Sequence, residues 1–172
     1  MIKLAQTHDL KPIMAFYEQV ITTLAKTAFP SGWKKGIYPD ELYVANAIAH
    51  QESFLDWRDD TIVSAMVLNS AANPGYTQAA WQVQAAPAAI LLIHTLAVAP
   101  ALQGQGIAQQ MVKFAIDYGR SHHKLALHLD ALATNLPAQK VYLACGFTYI
   151  TTLKLFYPDT GVTSFLLYEF VL

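Results

Sequence analysis

Residues 90–147, ILLIHTLAVAPALQGQGIAQQMVKFAIDYGRSHHKLALHLDALATNLPAQKVYLACGF, decide the fold. The run from Ala88 to Val98 is apolar and free of formal charge, the pattern of a buried strand. Ala99-Pro100 stops it. The loop Gln103-Gly104-Gln105-Gly106-Ile107-Ala108 then opens an amphipathic helix that runs to about Gly119. Lys124–Asp130 reads as the next strand. A short helix follows from Asn135 to Ala144, capped by Asn135 or Thr134, with Gly146 at the position after the helix where a left-handed backbone is needed. Two strands joined through a helix lie parallel. A strand, a glycine loop and a helix N-terminus together place backbone N–H groups where they can hold phosphates.

Composition narrows the class. The 172 residues are 54% hydrophobic and 13% charged, enough to bury one sizeable core and too apolar for extended disorder. The simplest organisation is a single domain, 1–172, without repeats or a linker. Net charge is −1 and Lys34-Lys35 is the only basic cluster, which argues against a nucleic-acid surface. No membrane partner is expected, because no apolar run reaches the roughly 18 uncharged residues of a span. The nearest, Ala85–Leu102, is broken by Pro87, His94 and Pro100. The N-terminus lacks the apolar core of a signal peptide, and Cys145 is the lone cysteine, so a reducing, cytoplasmic setting is the default. Six histidines show no metal-ligand spacing, and no metal is expected. His122-His123 reads as a helix C-terminus carrying cations.

Outward from the central stretch, Ile2–Leu4 suits a short strand, and a helix with Thr7 or Asp9 as N-cap runs over Leu10–Leu24 until Phe29-Pro30-Ser31-Gly32 stops it. The loop to Tyr38-Pro39 is unusually apolar. A second helix fits Asp40 to about His50. Ser53–Trp57 and Thr61–Asn69 form a hairpin about Arg58-Asp59-Asp60. Ser70–Gln84 is small and polar, with Trp81 as its one large anchor, and reads as an exposed connection. Phe147–Phe156 and Thr163–Val171 close the chain as an antiparallel pair about Pro158-Asp159-Thr160-Gly161. The order predicts an α+β (mixed α/β) domain: a mostly antiparallel sheet with one parallel step, flanked by about four helices. Exposed C-terminal strands are compatible with a homodimer.

The glycine loop admits several readings. Gly104 and Gly106 alone do not exceed a helix start that happens to contain glycines. A dinucleotide fingerprint would use Asp130, about 20 residues beyond the loop, but its third glycine position is Gln109 and no further strand–helix–strand unit follows. A P-loop needs Gly-Lys-Ser/Thr, which is absent. The stretch resembles instead the acyl-CoA signature of the GNAT superfamily of N-acetyltransferases. In that family Gln/Arg-x-x-Gly-x-Gly/Ala follows the fourth strand, and here Gln103, Gly106 and Ala108 stand there. A second family block is matched by Asn135, Ala138, Val141-Tyr142 and Gly146-Phe147. The motifs cover roughly residues 90–150, and the order of elements extends the likeness to the whole chain.

The resemblance implies a GNAT-like fold and acetyl-CoA as co-substrate. Gln103, Gly104, Gln105, Gly106, Ile107, Ala108 and Asn135 would hold the cofactor, and its pantetheine arm would pair with Leu96, Ala97 and Val98 like an added strand. It implies transfer of acetyl to a primary amine of a small-molecule or peptide acceptor. The alternative is a catalytically inactive acyl-CoA-binding or regulatory module on the same fold. Acetyl transfer requires that an amine of pKa ~10 lose its proton, that an oxyanion find donors, and that a thiolate be protonated. Tyr142 matches the family's tyrosine facing the CoA sulfur and is the candidate acid, although its place on an amphipathic helix also suits a core residue. The oxyanion donor would be a main-chain N–H near Ala97-Val98. Asp130 and His94 are the candidate bases. Aspartate at 130 suits equally a hydrogen bond to the next loop, and a lone histidine in an apolar strand is more often structural; His128 carries the same caution. Trp33, Tyr38 and Trp81 are candidates for the acceptor wall. Asp40, Glu41 and Glu52 could meet a cation, though helix capping also accounts for charge there. Cys145 reads as a small core residue.

Overall fold

A nine-residue strand over Ile90–Val98 stands at the centre of a seven-stranded sheet in the computed structural model, which describes Met1–Leu172. In chain order the elements are β1 (Ile2–Leu4), α1 (Leu10–Leu24), α2 (Glu41–Ala49), β2 (Ser53–Arg58), β3 (Thr61–Asn69), β4 (Ile90–Val98), α3 (Ile107–Ser121), β5 (Ala126–Leu132), α4 (Leu136–Ala144), β6 (Thr148–Tyr157) and β7 (Gly161–Val171). The sheet order is β1-β2-β3-β4-β5-β7-β6. Every neighbouring pair is antiparallel except β4–β5. The mixed sheet, its single parallel step and its four helices are those expected. Several strands differ in extent, with β4, β5 and β7 shifted by two residues at an end. β4 begins at Ile90 because Pro87–Ala89 form a short 3-10 turn, and β5 runs two residues past Asp130 to Leu132 because its antiparallel pairing with β7 continues that far.

Two features of β4 make room for a site. Its parallel pairing with β5 covers only Ile90–Leu92 against Ala126–His128, after which the strands part. Its pairing with β3 slips by one residue, from Val67↔His94 to Ala65↔Ala97, so β4 carries a bulge. Thr95 in the bulge has φ +48, a strained value for a β-branched residue. Tyr17 of α1 fixes it: the phenol donates to the Thr95 carbonyl at 3.0 Å and to its Oγ1 at 3.2 Å. The slip reverses which face each side chain takes. Leu91 and Ile93 pack with α3 before the bulge and Leu96 after it, while Ala97 turns to the α1–α2 side.

Helices α3 and α4 cover one face, where Met111, Val112, Ala115 and Ile116 meet Leu127, Leu129 and Tyr142. α3 presses hardest at Gly119, where a Cβ would lie 2.9 Å from both Leu127 Cδ1 and Leu172 Cδ1 and 3.6 Å from Leu91 Cδ2. The other face is divided. α1 and α2 cover β2–β4 through Ile13, Phe16, Val44 and Ile48. No helix covers β5–β7. Residues 70–89 do so instead, which corrects the expectation of an exposed connection. Tyr76 and Ala79 are buried there, so Trp81 is not the only large anchor. Trp81 stacks on His128 with ring centroids 3.7 Å apart. The buried Glu169 carboxylate of β7 accepts from the main-chain N–H of Gln82 and Val83 and pairs with His128 Nε2 at 2.9 Å. A polar segment can lie on an apolar sheet face because its backbone donors find that carboxylate. No helix is long and apolar enough to cross a membrane.

Candidate active site

Where β4 and β5 separate, a cavity of about 380 Å³ opens between them. One wall is built largely of backbone. From Ile93 to Val98 the β4 edge facing β5 has no strand partner. Beyond it Gly104 (φ +79) and Gly106 (φ +78) turn the chain into α3, with Gly106 as N-cap. Both φ values fall where only glycine sits without cost. The N–H groups from Gly104 to Gln109 find no acceptor within the chain, so six donors are left at one helix start. A Cβ on Gly104 would meet nothing within 4 Å, so this surface is open to an incoming group. Opposite, Asn135 caps α4 by accepting the Ala138 N–H at 3.3 Å, which leaves its Nδ2 donors uncommitted.

The other wall is built of side chains. Asp130 of β5 accepts hydrogen bonds from Tyr76 (2.9 Å) and Tyr157 (2.5 Å), both at Oδ2, while Oδ1 makes no hydrogen bond within the chain. Burial raises the Asp130 pKa above the ordinary carboxylate range; the two phenols oppose that rise, and the nearby Asp159 charge adds to it. Tyr142 lies at the junction of the walls, 8% exposed, with its ring against Phe147 and Tyr168. Its hydroxyl has no partner in the chain, yet it is not among the polar atoms sealed from solvent, so it opens on the cavity. Burial, and next the Asp130 charge, hold its proton on well above the usual phenol pKa.

The sequence candidates distribute unevenly over this geometry. Leu96, Ala97, Val98, Gln103, Gly104, Ala108 and Asn135 line the cavity, as do Tyr142, Asp130, His94, Trp33 and Tyr38. Gln105, Gly106 and Ile107 stand at the helix start just behind it. Trp81 does not line it; it lies over His128 on the β5–β7 side of the sheet. His128 is committed to Glu169. The His94 ring is half-buried with Nε2 enclosed and unpaired, and burial pushes its pKa down to about 4. Asp40 caps α2 through the Tyr43 N–H at 2.8 Å, and Glu52 accepts from Asn69. His122 closes α3, stacked on Tyr118. No three His, Cys, Asp or Glu side chains converge as a metal site.

Three residues of the side-chain wall escaped the reading of the sequence. Tyr76 belongs to a stretch taken as exposed, although a large aromatic just after Asn73-Pro74-Gly75 is a signal of anchoring. Tyr157 and Asp159 flank a hairpin turn, where a polar residue is ordinarily solvated; Asp159 is nevertheless 3% exposed and lines the cavity. Their convergence on Asp130 follows from the β5-β7-β6 order of the sheet, which no local pattern encodes.

Residues 18–147 match the model of the acetyltransferase (GNAT) family. The chain is 36% identical over 66 residues to the [ribosomal protein bS18]-alanine N-acetyltransferase of Haemophilus ducreyi, covering 38% of this chain and 46% of that one. Matches to curated relatives span between 20% and 46% of their own length. Among solved structures, a GNAT-family acetyltransferase of Streptococcus agalactiae superposes with a TM-score of 0.83 at 19% identity, over 100% of this chain and 95% of that one. yncA of Salmonella typhimurium, solved with its cofactor acetyl-CoA, superposes with a TM-score of 0.72 at 13% identity, over 99% and 92%.

Proposed function

The chain belongs to the GNAT acetyltransferase family, and from that premise we propose that it transfers the acetyl group of acetyl-CoA directly to a primary amine bound in the cavity between β4 and β5. The observation that carries this reading is the pairing of two walls across one cavity. One offers six unpaired N–H groups and an unpaired strand edge, and the other offers a carboxylate with a free oxygen beside a phenol that opens on the cavity.

The residues present suit acetyl-CoA. Gly104–Gln109 offer N–H donors to the pyrophosphate with no Cβ at Gly104 or Gly106 to hold it off, Asn135 offers its amide, and Leu96–Val98 offer main-chain groups to the pantetheine arm. When bound, the cofactor supplies an activated acyl thioester. Asp130 takes a proton from the ammonium of the acceptor, directly or through a water, and its raised pKa makes it a stronger base than an ordinary carboxylate. With the amine free to attack the acyl group, the Tyr142 phenol would supply the proton that the departing thiolate needs and would recover one, through solvent, from the nitrogen as the amide forms. Main-chain N–H groups near Ala97-Val98 face the transient oxyanion. His94 is poorly suited as the base, since burial depresses its pKa to about 4 and leaves it a weaker proton acceptor than an ordinary imidazole.

The test is release of free thiol from acetyl-CoA against a panel of amines, with CoA binding followed by calorimetry. Amine-dependent thiol release is the expected result. Tight CoA binding with no release for any amine would leave the chain an acyl-CoA-binding module, and absence of CoA binding would remove both readings.

A further inference from the structure

The half of the cavity beyond Tyr142 is charged in only one sense. It runs under the connection between α1 and α2, which touches the β6–β7 turn: a Cβ on Gly32 would lie 3.0 Å from Thr160 Cγ2 and 3.1 Å from Leu132 Cδ2. Six aromatic side chains, Phe29, Trp33, Tyr38, Tyr76, Tyr157 and Phe165, line this half. Two carboxylates, Asp130 and Asp159, stand among them, and no Lys or Arg lines the cavity anywhere. His94 is neutral at physiological pH. Lys34 approaches Asp159 only from a neighbouring surface hollow and forms no ion pair with it. Each carboxylate keeps one oxygen unpaired, since Asp130 uses Oδ2 for the two phenols and Asp159 uses Oδ1 for the Thr160 N–H. Neither free oxygen is sealed from solvent.

From this we infer that the acceptor is a small amine with an aromatic or otherwise apolar body and no carboxylate of its own, held as its ammonium between Asp130 and Asp159. The inference rests on the acetyltransferase reading of the cavity and names the class of acceptor within it. An ammonium brings three donors to two carboxylates, neither of which is held in an ion pair, and aromatic walls favour both the cation and an apolar body. An amino acid would carry its carboxylate into a cavity with no positive partner, where an unpaired charge is costly to bury. A polyamine would bring more ammonium groups than two carboxylates can pair, and its slender chain would cover little of the aromatic wall. A peptide N-terminus would need main-chain partners for the residues that follow it, where the walls around the two carboxylates are aromatic side chains.

The experiment is calorimetric titration of the intact chain, with and without CoA, with five probes: 2-phenylethylamine, phenethyl alcohol, phenylalanine, spermidine and a peptide beginning with alanine. The expected result is that 2-phenylethylamine binds at least about tenfold tighter than each of the others, the scale of one charge-assisted hydrogen bond. Asp159→Asn keeps an acceptor for the Thr160 N–H. It should weaken 2-phenylethylamine about tenfold while leaving phenethyl alcohol unchanged. Equal or tighter binding of phenylalanine, spermidine or the peptide overturns the inference, as does no binding of 2-phenylethylamine. An Asp159→Asn variant that binds the amine as the wild type does also overturns it, and if that variant does not fold, the wild-type ranking decides alone. The two readings fail separately. Turnover of a peptide or polyamine without 2-phenylethylamine binding removes this inference and keeps the acetyltransferase; selective amine binding without thiol release does the reverse.

Discussion

The two walls of the cavity are built by opposite means. The β4–α3 wall presents backbone: a bare strand edge and six N–H groups, with glycines where a side chain would intrude. The β5–β7 wall presents side chains drawn from places far apart in sequence; Tyr76 and Tyr157 reach Asp130 across 54 and 27 residues. Backbone suits a ligand that stays the same, because its donors do not change with substitution so long as the glycines remain. Side chains suit a ligand that differs between relatives, because each contact can be exchanged alone. On the proposed reading, cofactor and acceptor would be held by separable parts of this molecule, with Tyr142 where the parts meet.

That separation can be broken most decisively at Tyr142. Replacing it by Phe should lower kcat by about 10²–10⁴-fold, the usual worth of a general acid, while the Kd for acetyl-CoA stays near its wild-type value. Steady-state thiol release and calorimetry read the two quantities, and an unchanged kcat removes Tyr142 from the chemistry. Asp130→Asn comes next, with kcat/KM falling about 10²-fold and cofactor affinity unaltered. It should also raise the melting temperature at pH 8. The folded chain binds the Asp130 proton more tightly than the unfolded chain does, so ionisation costs stability as pH rises from near 3.9 through the raised folded pKa. Asn abolishes that cost, and the difference between variant and wild type should be small at pH 4 and a few degrees at pH 8, at roughly 2–4 °C per kcal/mol.

The backbone wall is tested at Gly104. Alanine at φ +79 costs about 1–2 kcal/mol of conformational strain, although its Cβ meets no protein atom within 4 Å. Weaker acetyl-CoA binding, by about tenfold, with kcat at saturation retained, is the outcome that keeps cofactor and acceptor functions apart. A loss confined to kcat would join them. The smallest effect belongs to Tyr76→Phe. Removing one phenol that stabilises the charged Asp130 should raise that pKa further, so the acidic limb of the kcat/KM profile moves to higher pH while the plateau changes by less than about threefold.

The same contrast explains what could be read in the chain beforehand. The strand, the glycine loop and α3 announced themselves through apolar runs, Gly104 and Gly106, and the cap at Asn135, because a backbone site needs particular residues at particular spacings. The mixed sheet followed from the order of those patterns. Thr95 gave no sign of the bulge, since a threonine in a β-branched run is the residue expected there; only the Tyr17 phenol, 78 positions away, accounts for its strained backbone. Residues 70–84 looked solvated by composition, and they are ordered by Glu169, 87 residues beyond Gln82. Trp81, a candidate for the acceptor wall, belongs to that fastening instead. Asp159 was hidden by its place in a turn, where aspartate is ordinary.

The short parallel seam between β4 and β5 carries a mechanical consequence. Three residue positions on each strand, Ile90–Leu92 against Ala126–His128, are all that join β1–β4 to β5–β7 within the sheet, and beyond them the strands diverge around the cavity. Such a join behaves as a hinge line, not a plate. α3 lies across it as a splint, held close by the missing side chain at Gly119 between Leu91, Leu127 and Leu172. The stiffness of the cavity mouth is therefore set at the opposite end of the strands, by a glycine that does not line the cavity.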